Sequence, residues 1–162
     1  MPIVLFRVDE RLIHGQVVVG WGERLNMDRI VVVDDDLSAS AWEQELYCLG
    51  VPASVDAAFA SVEEARLSYP HWKQDMRRLL VLLRDVPTLS RFAAGGLLEG
   101  QEVNLGGIHH APGRDRILPY LFLSADERSQ LEVVAQEGVK ISARDLPGSR
   151  QVPLEDLLAR AG

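Results

Sequence analysis

Short apolar runs alternate along this chain with segments in which apolar residues recur at helical spacing. The clearest runs, at residues 3–6, 30–33 and 79–83, are rich in Val, Ile and Leu, which is typical of buried strands. Weaker strand candidates are found at residues 53–57, as an edge strand, and at 103–105, 118–123 and 139–143. The alternation predicts an α/β fold, an open and mainly parallel β-sheet with helices on both faces.

Capping residues predict where the helices begin and end. Three pairs have the spacing of a capping box, namely Ser40 with Glu43, Ser61 with Glu64, and Ser124 with Glu127. Gly50 and Gly138 stand where a helix can end in a left-handed residue. A further helix is predicted over residues 16–25, since Val17, Trp21 and Leu25 share one helical face.

The last predicted helix carries an apolar stripe. Pro153 suits its first position, and Leu154, Leu157 and Leu158 recur at the spacing of one helical face. Such a stripe needs a covering surface. If the stripe were exposed, it would permit a homodimer.

Composition excludes several classes of protein. The 162 residues suit one domain, and the net charge of −7 without a basic tract argues against nucleic-acid binding. The single cysteine, Cys48, cannot form an internal disulfide and fits a reducing cytoplasm; beside Leu46 and Leu49 it is predicted to be a small core residue. No export signal or membrane-spanning apolar stretch is visible, so we expect a soluble chain that reaches any membrane only by docking.

The chemistry of the chain concentrates between the first strand and the first helix. The loop of the segment RVDERLIHGQV (residues 7–17) carries Asp9, Arg11 and His14 to the carboxyl end of a predicted parallel strand, where ligands of such sheets collect. Arg11 can hold phosphate oxygens in a bidentate fork, and Asp9 can orient the imidazole or Arg11. Gly15 and the helix amides from Gln16 onward form an anion site. The arrangement suits a histidine that carries phosphate, although a histidine near Arg and Asp is more often a surface or capping residue.

Other polar clusters have simpler interpretations. Asp34, Asp35 and Asp36 could hold a hard cation, but they more often form a solvated loop that enters a helix amino terminus. His109 and His110 lack a third ligand at zinc spacing and are predicted to be loop residues at a docking surface.

Two motifs resemble those of a known family. The segment RVDERLIHGQV, followed by Trp21 and residues 29–35, closely resembles the IIB component of the mannose/fructose/sorbose family of the bacterial phosphotransferase system, whose motif reads approximately R-[IV]-D-[DE]-R-L-I-H-G-Q-V. A supporting element, approximately V-N-[VL]-G-G-[MI], matches residues 103–108. The resemblance extends over essentially the whole chain, so residues 1–162 are expected to form one EIIB type-4 (mannose/sorbose-family) domain.

The resemblance implies a function and a set of partners. In that family the motif histidine, here His14, takes phosphate from a phosphohistidine of a IIA subunit and passes it to a sugar bound by the membrane subunits IIC and IID. Arg11 and Asp9 would serve the transfer, and Gly106 and Gly107 would line the phosphate site. No metal or other cofactor is implied. The location implied is cytoplasmic, peripheral to the inner membrane through the permease complex.

The sequence departs from its relatives after the third central strand. Relatives often carry Phe and then a small polar or basic residue there, whereas this chain has Arg84 followed by Asp85, with its Pro displaced by one position. Arg84 either supplies a second positive charge to the phosphate or is simply exposed.

Two alternatives to sugar transport stay open at this point. A regulatory phosphocarrier of an incomplete system would use the same histidine without a permease. The other alternative is an inactive binding domain on this fold, against which the intact motif argues. The sugar itself is chosen chiefly by the membrane subunits, so the sequence does not identify it.

Overall fold

A computed structural model describes residues 3–160 of the protein. Residues 1, 2, 161 and 162, which the predicted domain includes, lie outside the described residues. In chain order the strands are β1 (Ile3–Val8), β2 (Arg29–Val33), β3 (Asp56–Ala60), β4 (Leu79–Leu83), β5 (Glu102–Leu105), β6 (Arg114–Leu118), β7 (Leu121–Ser124), β8 (Lys140–Ala143) and β9 (Val152–Pro153). The helices are a π helix (Gln16–Glu23), α1 (Asp35–Ser38), α2 (Ala41–Cys48), α3 (Val62–Trp72), α4 (Val86–Ala93), α5 (Ala125–Gln136) and α6 (Leu154–Ala159), with a 3₁₀ turn at Ala94–Gly96.

The predicted fold class is confirmed. Seven strands of the described chain form one sheet in the order β3-β2-β4-β1-β5-β8-β9, in which only β9 runs antiparallel. The two central strands β1 and β4 are almost wholly apolar, because helices cover both faces of the sheet. None of the helices between residues 3 and 160 is long and apolar enough to span a membrane.

Each face of the sheet has its own apolar core. On one face the π helix, α1 and α2 cover Ile30, Val32 and Leu82. On the other face α3, α4 and α5 contribute the larger core. Val8 points to that second core, whereas Arg7 points to the first face, because successive strand residues alternate. A charged residue is therefore buried at the carboxyl end of β1.

Several sequence predictions need correction. The strand predicted at residues 118–123 is wrong, because those residues span the turn of a separate antiparallel hairpin, β6–β7. The edge strand predicted at residues 53–57 lies three residues later, as β3. Ser40 makes no capping hydrogen bond, whereas the boxes at Ser61 and Ser124 are both formed.

One prediction about apolar surfaces is wrong, that of a buried Cys48, and another, that the stripe of the last helix needs a covering surface, is confirmed. Cys48 is exposed, because it lies on the outer side of α2 with Trp42 and Leu46, whereas Tyr47 packs against the core. The stripe of the last helix is covered by the protein's own core, since Leu154 and Leu157 are buried and Leu158 packs against the same cluster. It therefore gives no argument for a homodimer.

Of the two glycines predicted to end helices in a left-handed conformation, Gly138 does so after α5, with φ of +93°. Gly50 does not have a positive φ.

Candidate functional site

The loop that follows β1 is fixed to the two neighbouring strands. The Asp9 amide donates to the carbonyl of Leu83 at the end of β4 (2.9 Å), and the Glu10 amide donates to the carbonyl of Gly107 after β5 (2.9 Å). Leu12 is buried and has φ of +55°, a left-handed conformation that is rare for a bulky residue. The loop thus has a defined backbone path that directs His14 to the start of the π helix.

Asp9 is the centre of the site. Its carboxylate is fully buried, lies 3.2 Å from the Arg7 guanidinium, and accepts a 3.1 Å hydrogen bond from the Arg11 amide. The same carboxylate lies 3.3 Å from Nε2 of His14. Burial acts to raise the pKa of Asp9, but His14 and Arg7 together outweigh it and bring the pKa to about 2. Asp9 is therefore an anion at every physiological pH.

The imidazole of His14 presents its two nitrogens differently. Nε2 is enclosed and faces Oδ2 of Asp9 at 3.3 Å, at an angle outside hydrogen-bond geometry. Nδ1 makes no hydrogen bond within residues 3–160 and is not among the enclosed polar atoms. The side chain is 15 % exposed, so the ring is reachable from solvent at one edge.

Arg7 holds Asp9 in place and ties distant parts of the chain together. Its guanidinium donates to the side chain of Asn104, to the carbonyl of Arg144 (2.8 Å) and to the carbonyl of Asp145 (3.1 Å). The Trp21 ring lies 5.2 Å away and donates its indole N–H to the same Asp145 carbonyl (3.0 Å). A buried guanidinium needs such a full set of acceptors, which explains its position between β1, β5 and the segment after β8.

Gly106 is explained by these charged groups, and Gly107 lies within ordinary contact distance of them. A methyl group on Gly106 would overlap the guanidinium of Arg7. A methyl group on Gly107 would lie 3.4 Å from Arg11 and 3.5 Å from Asp9. Sequence reasoning placed the pair near the histidine but did not find Arg7. An isolated arginine at the end of an apolar strand is the signal that indicates such a buried ion pair.

The outer part of the loop has space for an anion. Arg11 is 40 % exposed and donates to the side-chain oxygen of Gln16 (2.8 Å). The amides of Gly15 and Gln16 make no hydrogen bond within residues 3–160, as expected at a helix amino terminus. A Cβ on Gly15 would meet nothing within 4 Å. Free amides, open space and an exposed guanidinium therefore lie together beside His14.

A second network fixes the loop to the β6–β7 hairpin. Glu10 accepts from Arg114 (3.0 Å) and from the amide of His109 (2.9 Å), and Nδ1 of His109 lies 2.5 Å from the same carboxylate. Arg114 also binds Glu127 at the start of α5 (3.0 Å). His109 is thus joined to the candidate site through Glu10, a link that sequence reasoning missed. His110 instead packs edge-on against Phe122.

Arg84 lies at the expected edge of the sheet but has a partner there. Its Nε and Nη2 donate to the two carboxylate oxygens of Asp34, at 3.1 and 3.4 Å. Asp34 is buried and caps α1, where it accepts from the Leu37 amide, so it is not part of a solvated loop. Among residues 3–160 no group of three or more His, Cys, Asp or Glu side chains is placed to hold a metal ion.

Comparison with known proteins identifies the family. Residues 3–162 match the family described as the PTS system sorbose subfamily IIB component. The chain belongs to this family. It is a IIB component, a phosphotransferase component of the sorbose and mannose type.

Relatives agree over almost the whole chain. An N-acetylgalactosamine-specific phosphotransferase enzyme IIB component from Escherichia coli is 27 % identical over 161 residues, covering 95 % of this chain and 97 % of that protein. A sorbose-specific EIIB component from Lacticaseibacillus casei is 29 % identical over 160 residues, covering 99 % and 95 %. The crystal structure of an N-acetyl-galactosamine IIB component from Streptococcus pyogenes superposes with a TM-score of 0.86 at 25 % identity, covering 96 % of this chain and 97 % of that one.

Proposed function

We propose that this IIB component accepts a phosphoryl group on His14 from a phosphohistidine of a IIA protein and passes it to a sugar during uptake through the IIC and IID subunits. The observation that carries the proposal is the asymmetry of the imidazole: Nε2 faces a buried carboxylate, and Nδ1 has no hydrogen-bond partner among residues 3–160. On this proposal the protein works on the cytoplasmic side of the inner membrane, held there by the permease complex.

The free nitrogen is the one we assign as nucleophile. With its proton on Nε2, beside the Asp9 carboxylate, the neutral ring has its lone pair on Nδ1. That lone pair forms a bond to phosphorus as the bond from phosphorus to the donor nitrogen breaks, and the electron pair of the broken bond stays with the donor ring. The Nε2 proton does not need to move, which leaves alignment and charge as the main tasks of the protein.

Asp9 stabilises the product of that step. When Nδ1 bonds to phosphorus while Nε2 keeps its proton, the ring becomes positively charged. A carboxylate 3.3 Å from Nε2 favours that charged ring, and Arg7 keeps the carboxylate in position. When the phosphoryl group leaves for the sugar, the ring loses its positive charge again. Asp9 and Arg7 therefore serve both the transfer to His14 and the transfer from it.

The groups around the ring suit the oxygens of the phosphoryl group. We assign Arg11 and the amides of Gly15 and Gln16 to these oxygens, because Arg11 is 40 % exposed and the two amides make no hydrogen bond within the described residues. Gly107 lies beside Arg11 and Asp9, and Gly106 leaves the room that the Arg7 guanidinium occupies. Arg84 stays a predicted second cation, acting through Nη1, the guanidinium nitrogen that Asp34 does not hold.

Phosphorylation in a defined system tests the proposal. The protein is incubated with phosphoenolpyruvate, the general phosphocarrier proteins and a IIA donor, and its intact mass is measured. We expect a gain of one acid-labile phosphate in the wild type and none in His14→Ala, whereas His109→Ala and His110→Ala are labelled like the wild type. A label that persists in His14→Ala moves the phosphorylation site elsewhere.

A further inference from the structure

Helix α2 exposes an apolar surface that the phosphotransfer chemistry does not use. Trp42 is 65 % exposed, Leu46 is 57 % exposed, and Leu49, directly after the helix, is 83 % exposed. Their spacing of four and three residues puts the three side chains on one helical face. We call these three residues the α2 patch. Single exposed apolar residues are ordinary on a protein surface, but a contiguous group marks a site of contact.

The apolar surface continues from α2 to the edge of the sheet. Cys48 and Leu49 line a groove of about 550 Å³ together with Ala57 and Phe59 of β3. Strand β3 is an outermost strand of the seven-stranded sheet, so the groove opens to the outside of the fold. The α2 patch and this groove form a surface large enough to receive side chains of another molecule.

Charge is distributed very unevenly around this surface. Residues 30–65, which include α1, α2 and β3, contain eight Asp and Glu and no Lys, Arg or His, while the rest of the chain has 17 basic and 16 acidic residues. Asp34, Asp35 and Asp56 are paired with arginines from other segments. Glu43 and Glu45, on α2 itself, make no ion pair within residues 3–160. The α2 patch is therefore an apolar centre with a negative border.

This charge pattern decides between the possible occupants. In a symmetric dimer formed through the α2 patch, the carboxylates of one copy would face those of the other, which is unfavourable. An anionic lipid surface would be repelled for the same reason. A partner with apolar and basic residues fits. Cytoplasmic loops of integral membrane proteins are enriched in Lys and Arg, so they have the required chemistry.

We propose that the α2 patch docks on basic cytoplasmic loops of the integral membrane subunits of the transport system. This inference rests on the proposed function. Helix α2 lies on the same face of the sheet as the π helix that follows His14, since Tyr47 of α2 packs against the core that Val17 and Val18 help to form. No residue of the α2 patch belongs to the His14 loop, so the patch adds contacts to the membrane subunits beyond those that the His14 loop makes during transfer to the sugar.

Binding to the purified membrane subunits tests the inference. Purified IIC and IID subunits of the sorbose and mannose type are placed in phosphatidylcholine nanodiscs, and the affinity of the full-length protein is measured by biolayer interferometry. We expect Trp42→Ser with Leu49→Ser to weaken binding about tenfold or more, and Glu43→Lys with Glu45→Lys to do the same. Wild-type binding should also weaken as salt is raised.

Matched variants control for general effects of the substitutions. Leu67→Ser removes another exposed leucine (75 % exposed) on α3, which covers the opposite face of the sheet, and should leave binding unchanged. Glu132→Lys with Glu155→Lys makes the same charge change on α5 and α6, and should also leave it unchanged. All these variants should accept phosphate from the IIA donor like the wild type.

Three results would overturn the inference. They are unchanged binding by both α2 double variants, equal binding of the wild type to vesicles of phosphatidylserine alone, and a wild-type dimer that Trp42→Ser with Leu49→Ser converts to a monomer. Failure of the proposed function would give a different result. In that case the wild-type protein would take no phosphate on His14, whether or not it binds to the nanodiscs.

Discussion

Gly106 lies against the guanidinium of Arg7 so closely that a methyl group on its Cα would overlap the guanidinium. Arg7 cannot easily move aside, because its hydrogen bonds to Asp9, Asn104 and two backbone carbonyls fix it in a buried position. We expect Gly106→Ala to lower the free energy of unfolding by about 1–3 kcal/mol, the usual effect of overfilling a packed site. Urea denaturation measures this, and a variant as stable as the wild type would contradict the packing described.

Gly15→Ala is the control for Gly106→Ala, because it adds the same methyl group directly after His14. A Cβ there meets nothing within 4 Å, and Gly15 has a helical φ of −52°. The free energy of unfolding should therefore be unchanged, or higher by up to about 1 kcal/mol. Phosphate transfer should nevertheless slow, because the methyl group occupies space that we assign to the phosphoryl group. Wild-type transfer rates in Gly15→Ala would remove Gly15 from the phosphate site.

The low pKa of Asp9 makes one contribution to stability depend on pH. Burial raises the pKa, but His14 and Arg7 outweigh it, so the pKa falls from 3.8 to about 2 in the folded protein. A lowered folded pKa stabilises the protein above the unfolded pKa, and that stabilisation, about 2 kcal/mol, is lost as the pH falls from about 4 to about 2.

Asp9→Asn isolates this contribution. At neutral pH we expect the variant to be about 3 kcal/mol less stable than the wild type, since it leaves Arg7 buried without its counterion. The difference in the free energy of unfolding between the variant and the wild type should narrow as the pH falls from about 4 to about 2. Glu155→Gln, at an exposed position, should show no such pH dependence relative to the wild type. Denaturation curves between pH 6 and the acid limit of folding test this, and a difference that stays constant would refute the assigned pKa.

The link from Glu10 through Arg114 to Glu127 should contribute more to stability than a surface ion pair does. Arg114→Met removes the partner of two shielded carboxylates and should cost about 2 kcal/mol. Arg128→Met removes a pair with the half-exposed Asp115 and should cost less than about 1 kcal/mol. Thermal or urea denaturation of the two variants compares them directly, and equal losses would argue against the link.

Arg11 and Arg84 differ in how closely a carboxylate holds them: Arg84 donates two hydrogen bonds to Asp34, whereas the Arg11 guanidinium lies 3.5 Å from Asp9 without a hydrogen bond to it. Arg11→Gln should leave folding intact and slow phosphate transfer strongly, because this guanidinium is exposed beside His14. Arg84→Gln should slow transfer less, because Asp34 already accepts two of its hydrogen bonds. Single-turnover transfer from the IIA donor gives both rates. The opposite order would make Arg84 the principal cation at the phosphate.

The sequence was sufficient for the central strands, for two of the three predicted capping boxes and for the position of the histidine. Strand β4 coincides with the apolar run at residues 79–83, and the boxes at Ser61 and Ser124 form as their spacing predicts. The β6–β7 hairpin was missed because the apolar residues before and after its turn form one continuous run in the sequence, which predicts a single strand. Pro119 within that run was the available signal of a turn.

The contacts that complete the site could not be predicted. Arg7 is held by carbonyls of Arg144 and Asp145, more than 130 residues away in the chain, and no local pattern indicates such contacts. The outward orientation of Cys48 and Leu49 was missed for a related reason. Apolar residues at helical spacing predict a buried face, and only the complete fold shows that α2 turns this face to the outside.

The nitrogen that bears phosphate tests the central claim most directly. The ¹⁵N-labelled protein is phosphorylated by the IIA donor, and long-range ¹H–¹⁵N spectra with ³¹P coupling assign the two ring nitrogens of His14. We predict that Nδ1 is bonded to phosphorus and that Nε2, beside Asp9, is the other nitrogen of the ring. Phosphorus on Nε2, or on any residue other than His14, would contradict the account.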